Sequence, residues 1–183
     1  MSTASASIEL GTAAPALQLS DPPGKRFDLA TDAADRPALV MFVCNHCPYV
    51  KHVAPVIGTL ASQWGLLGLV VVAVNPNALT HPADAPELMT PFAQESGWDF
   101  SYLVDADQAV AKAYGAACTP DIFLFDRSHR LAYHGQLDST RPKGDAPATG
   151  ADLAAAVDAV LSDAPVSGEQ HPSIGCSIKW HAE

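Results

Sequence analysis

The 183-residue chain is short of positive charge: ten Lys and Arg stand against twenty Asp and Glu, a formal net charge of −10. Nucleic acids and anionic membranes bind through basic patches, so the balance argues against both as partners. No apolar run approaches the length of a bilayer span; the longest are strand-sized. The opening MSTASASIELGTAAP has no basic segment followed by a continuous apolar one. No secretory leader is therefore expected, and a cytoplasmic location follows as the default expectation. Cysteine is scarce, with four residues (Cys44, Cys47, Cys118 and Cys176). A cytosolic chain keeps its thiols reduced, so structural bridges are not expected. Repeats and linkers are absent, which predicts one domain over 1–183. With 48% hydrophobic and 16% charged residues, that domain has enough apolar side chain for a core, and general disorder is excluded.

What is present is an alternation of strand and helix signals. Residues 1–37 hold two alternating stretches, IEL and FDL, around the turn signal Asp21-Pro-Pro-Gly24, which predicts an N-terminal hairpin extension. Ala38–Val43 is a continuous apolar run rich in β-branched residues, as a buried parallel strand requires. Pro48 opens a helix to about Trp64, with Val50, Val53, Val56, Ile57 and Leu60 at helical spacing and Pro55 predicting a kink. A strand over 68–75, a loop to Pro86, a helix over 87–96, a strand over 100–104 and a helix over 107–114 follow. Residues 121–125 and 131–137 predict a hairpin. A polar loop ends at Thr149, which with Asp152 suggests a capping box opening the Ala-rich helix 151–163. From about residue 164 the chain reads as an irregular C-terminal tail. The pattern predicts an α/β fold with a central sheet flanked by helices.

The chemistry is concentrated where the first buried strand ends, at Cys44-Asn45-His46-Cys47-Pro48. A C-x-x-C directly after a strand reads as redox or metal-binding. Proline is favoured at the first helical position, so Pro48 makes Cys47 the N-cap. Its sulfur then faces the unpaired N–H groups of the first turn and the positive end of the helix dipole, both of which favour a thiolate. A free thiol is only about 3% ionised at pH 7, and lowering its pKa by roughly 1.5 units makes about half of it nucleophile. His46 adds to this if it is protonated. Cys44, at the strand end, is placed to close a short disulfide onto Cys47.

These residues, with the N-terminal LGTAAPALQLSDPPGKRFDL, the later YGAACTPDIFLFD and the C-terminal GCSIKW, resemble the thioredoxin-like superfamily. Within it they resemble the redoxin branch shared by alkyl hydroperoxide reductases and thiol–disulfide reductases, and a bacterial group of thioredoxin-family proteins in particular. The resemblance implies a thioredoxin-like fold with a mixed central sheet, and it implies that Pro120 is a cis-proline facing the reactive cysteine. Two alignments compete. One matches CNHC to the family's C-x-x-C and makes Cys44 the nucleophile. The other matches F-x-x-x-x-C-P from Phe42 to Cys47-Pro48, with Val50 replacing the family's second cysteine and Pro55 on its helix-kinking proline. The second agrees with the capping argument, so Cys47 is read as the attacking sulfur and Cys44 as its resolving partner.

Three functions remain open on the sequence. The first is a thiol–disulfide oxidoreductase working through a mixed disulfide, with a protein or small-molecule disulfide as substrate, a thiol electron donor and no cofactor. The second is a thiol-dependent peroxidase with an antioxidant role. Against it, the peroxidase P-x-x-x-[TS]-x-x-C pattern has Val40 and Cys44 where the proline and Thr/Ser belong. The third is a copper or zinc carrier of the same fold, which lacks a clear histidine; no metal ligands are assigned. Tyr49 is expected to shape the groove, and the backbone at Thr119 to offer strand-like hydrogen bonds to an extended peptide. Cys118 reads as an exposed loop thiol or an additional redox cysteine, with Cys176 folding back toward it. His52 and His134 read as surface or packed histidines, and Trp64, Trp98 and Trp180 as core or lid residues. Asp28, Asp105 and Asp121 read as solvated turn carboxylates, Asp121 alone being considered as a proton carrier.

Overall fold

The computed structural model describes residues 2–182. In chain order they form β1 (Ser2–Ala4), β2 (Gln18–Ser20), β3 (Arg26–Asp28), α1 (Leu29–Asp32), β4 (Ala38–Phe42), α2 (Pro48–Leu66), β5 (Val70–Asn75), a 3₁₀ turn (Pro82–Asp84), α3 (Pro86–Glu95), β6 (Ser101–Val104), α4 (Ala109–Tyr114), β7 (Cys118–Thr119), β8 (Asp121–Phe125), β9 (Leu131–His134), α5 (Ala151–Leu161) and β10 (Ile174–Ser177). No helix among them is long and apolar enough to cross a membrane.

The unbroken apolar run of β4 has a direct cause: all five residues are buried, because the sheet is covered on both faces. Leu39 and Met41 enter one core with Ile57, Trp64, Leu153 and Val157, while Ala38, Val40 and Phe42 enter a second with Leu103, Tyr114 and Phe123. β5 divides in the same way, Val71 and Ala73 to the first core and Val72 and Val74 to the second. Burying an aliphatic side chain of this size contributes about 1.5–3 kcal/mol. Such residues place β4 in mid-sheet without polar alternation.

The main sheet runs β3-β2-β6-β5-β4-β8-β9, with β4, β5 and β6 parallel and the outer pairings antiparallel. Phe42, the last residue of β4, lies opposite Asp121, the first of β8. That register sets the segment before β8 beside the turn after β4, and so brings residues 118–120 to Cys44–Cys47. A second sheet, β1-β10-β7, flanks this junction.

Several local expectations change. The N-terminal hairpin exists around the Asp21–Gly24 turn, but its arms are β2 and β3; residues 8–10 form no strand, and α1 follows within the extension. The tail is irregular over 164–173 and then forms β10. The capping box at Thr149 does not form. Gly150 is the N-cap of α5 at φ 74°, Asp152 accepts from Gln136, and Asp138 takes the Thr149 and Gly150 N–H groups at 2.7 Å each. Pro55 falls inside α2 as anticipated. Gly58 of the same helix lets α2 approach the end of α3: a methyl group there would overlap the Ser96 carbonyl and lie 2.9 Å from that of Gly97.

Candidate active site

The strand-to-helix turn is built as the capping argument requires. Cys47 is the N-cap of α2 in extended conformation, with Pro48 in the first turn. Its sulfur closes no capping hydrogen bond, although the Val50 N–H is aimed at it. The Cys47 thiol lies 3.0 Å from the Thr119 carbonyl oxygen, to which it donates. Cys44 Sγ lies 3.2 Å from Thr119 Oγ1 and 3.6 Å from His46 Nδ1. Both sulfurs are fully buried and all four cysteines are free thiols. The Thr119–Pro120 peptide is cis.

The two thiols are driven apart in acidity. Cys47 is pulled down to about 5, first by the hydrogen bond it receives from the Cys44 thiol. Burial opposes this; the thiol and backbone N–H of Cys176 and the Val50 N–H add to it. The Thr119 carbonyl favours the neutral thiol, but the Cys44 hydrogen bond outweighs it and the net direction is down. Cys44 is pushed far up because its thiol donates a hydrogen bond to the Cys47 sulfur, and by burial and the nearby Asp84 carboxylate. One sulfur of the pair thus carries the charge and the other the proton.

Asp84 is the residue that sequence reasoning missed. It is fully buried, and its oxygens accept from the His46 backbone N–H at 2.9 Å and from His46 Nδ1 at 2.5 Å. The His46 ring stacks on His81 at 3.8 Å. Asn45 Nδ2 donates to the Ala83 carbonyl, so with His46 the turn is latched to the loop after β5. Asn75 Nδ2 steadies that loop at the Asp84 carbonyl, and Tyr102 Oη of β6 donates to Asn45 Oδ1 at 3.0 Å. Cys44, His46 and Asp84 offer ligand atoms within 4.8 Å of one another, a mixed soft and hard donor set. Nothing in THPADAP separates a buried Asp from a loop Asp; its position between two prolines, with Asn75 and Asn77 before it, was the only available hint.

A family model described as Redoxin matches residues 9–153, more than half of the chain. The chain belongs to the Redoxin family. Its strand-to-helix cysteine turn and its Thr119–Pro120 segment both lie within the matched residues. Among curated proteins it is similar to the thiol-disulfide oxidoreductase ResA of Geobacillus thermodenitrificans (strain NG80-2), 26% identical over 130 residues and covering 70% of each chain. Two solved structures match at TM-score 0.95. A hypothetical protein from Sinorhizobium meliloti 1021 is 48% identical over 99% of this chain and 100% of its own. An uncharacterized conserved protein from Geobacillus kaustophilus is 44% identical over 100% and 98%. A secreted Mycobacterium tuberculosis disulfide oxidoreductase homologous to E. coli DsbE, at 19% identity, 78% and 95% coverage and TM-score 0.60, shares the thioredoxin-like fold.

In this Redoxin chain the remaining candidates fall out unevenly. Cys118 is not an exposed loop thiol. It is buried, donates to the Pro120 carbonyl at 3.4 Å, and burial with nearby Asp121 pushes its thiol up. Cys176 does fold back to this strand, but its register partner is Thr119, while Cys118 pairs with Ser177. The thiol of Cys176 faces Cys47. The strand edge at Thr119, expected to receive a peptide, is therefore occupied by β10. Asp121 is no solvated carboxylate: it is buried, accepts from Ala117 N–H and pairs with His134 at 2.8 Å. Asp105 is buried too and accepts from Val110 and Ala111 N–H at the start of α4. Asp28 caps α1. His52 meets Thr140 Oγ1. Trp64 and Trp98 are core residues, whereas Trp180 is 42% exposed. Tyr49 and Pro120 line a hollow of only ≈ 20 Å³. A cleft of ≈ 560 Å³ beside Asn45 and His46 is roomier, and neither sulfur opens into either one.

Proposed function

We propose that the chain is a thiol–disulfide oxidoreductase whose attacking group is the Cys47 thiolate. The carrying observation is that Cys47 caps the N-terminus of α2 beside Cys44, an arrangement that lowers the Cys47 thiol and raises that of Cys44. Cys47 attacks a substrate disulfide R–S–S–R′; the new bond joins Cys47 to R–S, and R′–S⁻ leaves. Cys44, three residues earlier, resolves by attacking the Cys47 sulfur; R–S⁻ leaves and takes up the proton that Cys44 gives up. The resulting protein disulfide then takes two electrons from a thiol donor. Supporting this reading are membership of the Redoxin family and the similarity to a thiol-disulfide oxidoreductase.

The test is site-resolved labelling of the reduced protein with iodoacetamide at pH 6, mapped by mass spectrometry. Cys47 is labelled first, and Cys47→Ser turns over insulin disulfides at no more than about 1% of the parent rate. Faster labelling of Cys44 would transfer the attacking role to it. The peroxidase alternative demands thiol-supported peroxide consumption, a reaction for which the chain lacks the Pro and Thr/Ser of the peroxidase pattern. The carrier alternative draws on the Cys44, His46 and Asp84 grouping. It demands stoichiometric Cu(I) or Zn(II) retained after desalting.

A further inference from the structure

The C-terminal GCSIKW stretch is built into the site more firmly than a trailing tail would be. β10 lies between β1 and β7 in antiparallel register, Thr3 opposite Gly175 on one side and Thr119 opposite Cys176 on the other. Gly175 makes this approach possible, since a Cβ there would overlap the Thr119 carbonyl and lie 3.0 Å from Pro120 N. Both flanks are anchored. Ser173 is buried, donates from Oγ to the Gly135 carbonyl at 2.7 Å and accepts from Ser5 N–H through its own carbonyl. Beyond β10, Ile178 is buried in the second core, Lys179 N–H donates to Asn77 Oδ1, and Gln108 Nε2 donates to the Lys179 carbonyl. β10 also packs against α2.

An extended peptide recognised by a sheet edge adds as a strand through backbone pairing. At Thr119 the chain's own β10 already makes that pairing. The residue opposite Thr119, where the cysteine of a docked substrate would be wanted, is Cys176. The carbonyl of that same Thr119 meets the Cys47 sulfur at 3.0 Å, which sets Cys176 beside Cys47, and the two side chains perturb each other. Cys176 alone of the four cysteines is not buried.

We infer that β10 is an intramolecular occupant of the substrate-strand position and that Cys176 is a third redox thiol, which forms a disulfide with Cys47. This rests on Cys47 being the attacking sulfur. The step balances without an added oxidant. After Cys47 has taken R–S from a disulfide, the Cys176 thiolate attacks the Cys47 sulfur, the Cys47–S–S–Cys176 bond forms, and R–S⁻ leaves and takes up the proton lost by Cys176. Cys176 competes with Cys44 for this role. Its thiol is pushed up to about 12, by burial first and then by contact with Cys47, while the Lys179 charge works in its favour. Cys44 is pushed up too, by its hydrogen bond to Cys47 first and then by burial and Asp84.

The experiment treats the reduced full-length Cys44→Ser protein with dithiodipyridine, follows thiopyridone release and maps the products by mass. Two equivalents released per chain, about twice the count from Cys44→Ser/Cys176→Ser, with a Cys47–Cys176 linked peptide, is the expected result. One equivalent with the pyridyl adduct stable on Cys47, or separate adducts on Cys47 and Cys176, overturns the inference and leaves the oxidoreductase reading standing. No adduct or link at Cys47 removes both. Should Cys44→Ser fail to fold, the parent protein is mapped after the same treatment. A Cys47–Cys176 peptide supports the inference, and Cys44–Cys47 as the sole link overturns it.

Discussion

His46 and Asp84, 38 residues apart, are joined twice, through the backbone N–H of the histidine and through its Nδ1. The pair ties the cysteine turn to the 3₁₀ turn after β5, and it sets a carboxylate close enough to Cys44 to oppose ionisation there. Asp84→Asn keeps the shape and removes the charge. The expected outcome is easier ionisation of Cys44, read as a several-fold rise in its iodoacetamide labelling at pH 8 relative to Cys47. Stability should fall by about 1–3 kcal/mol as a charge-assisted hydrogen bond is lost. Unchanged Cys44 labelling would show that the Asp84 charge is not felt at that sulfur.

The acidity of Cys47 has a pH signature. Its thiol is lowered in the folded state to about 5, against roughly 8.5 in an unfolded chain. A depressed acid stabilises the fold fully above the unfolded value and loses that contribution as pH falls through the folded one. Between about pH 9 and pH 5, the reduced protein should therefore lose more stability than Cys47→Ser does. The urea midpoint measured across that window checks it. Over the same range alkylation of Cys47 should hold nearly level down to pH 6 and drop below pH 5. Parallel stability profiles for the two proteins would contradict the shift.

Cys176 sits opposite Thr119, whose carbonyl meets the Cys47 sulfur, and its side chain helps to pull the Cys47 thiol down. Cys176→Ala removes the side-chain donor and Cys176→Ser keeps one. The alanine variant should move the midpoint of Cys47 labelling upward in pH, with a few-fold loss of labelling at pH 5, and the serine variant should restore most of it. Identical midpoints in all three proteins would mean that the side chain of residue 176 does not reach Cys47.

The part of this site legible in the sequence was the part governed by local rules. Pro48 fixed the helix start, which made Cys47 its cap, and the unbroken apolar run of β4 marked a strand covered on both faces. Residues whose roles depend on distant partners were not legible. β10 is four residues long, and its pairing with Thr119 spans 57 positions in sequence, so no periodicity announces it. Asp84 and Asp121 look like loop carboxylates until the fold buries them against His46 and His134. At α5 a local rule lost to a tertiary one, because Asp138 takes the Thr149 N–H that Asp152 was expected to serve, while Gln136 holds the Asp152 carboxylate.

Gly175 offers a test that changes no sulfur. Adding a methyl group there forces it against the Thr119 carbonyl and within 2.5 Å of that residue's carbonyl carbon. The obstacle is backbone, which has no alternative rotamer, so Gly175→Ala must push β10 away from β7. Overpacking of this kind costs about 1–3 kcal/mol, and a lowered urea midpoint of that size is expected. The displaced strand also uncovers Cys47, which lies fully buried beside it. Alkylation of Cys47 at pH 7 should therefore become faster by an order of magnitude or more even as the protein becomes less stable, because lost cover outweighs the lost Cys176 donor. Gly58→Ala supplies the control: it strains the α2–α3 contact through the carbonyls of Ser96 and Gly97, far from the sulfur. It should lower stability by a similar amount without accelerating Cys47. Equal acceleration in both variants would trace the effect to general loosening and take from β10 its role as the cover of the reactive thiol.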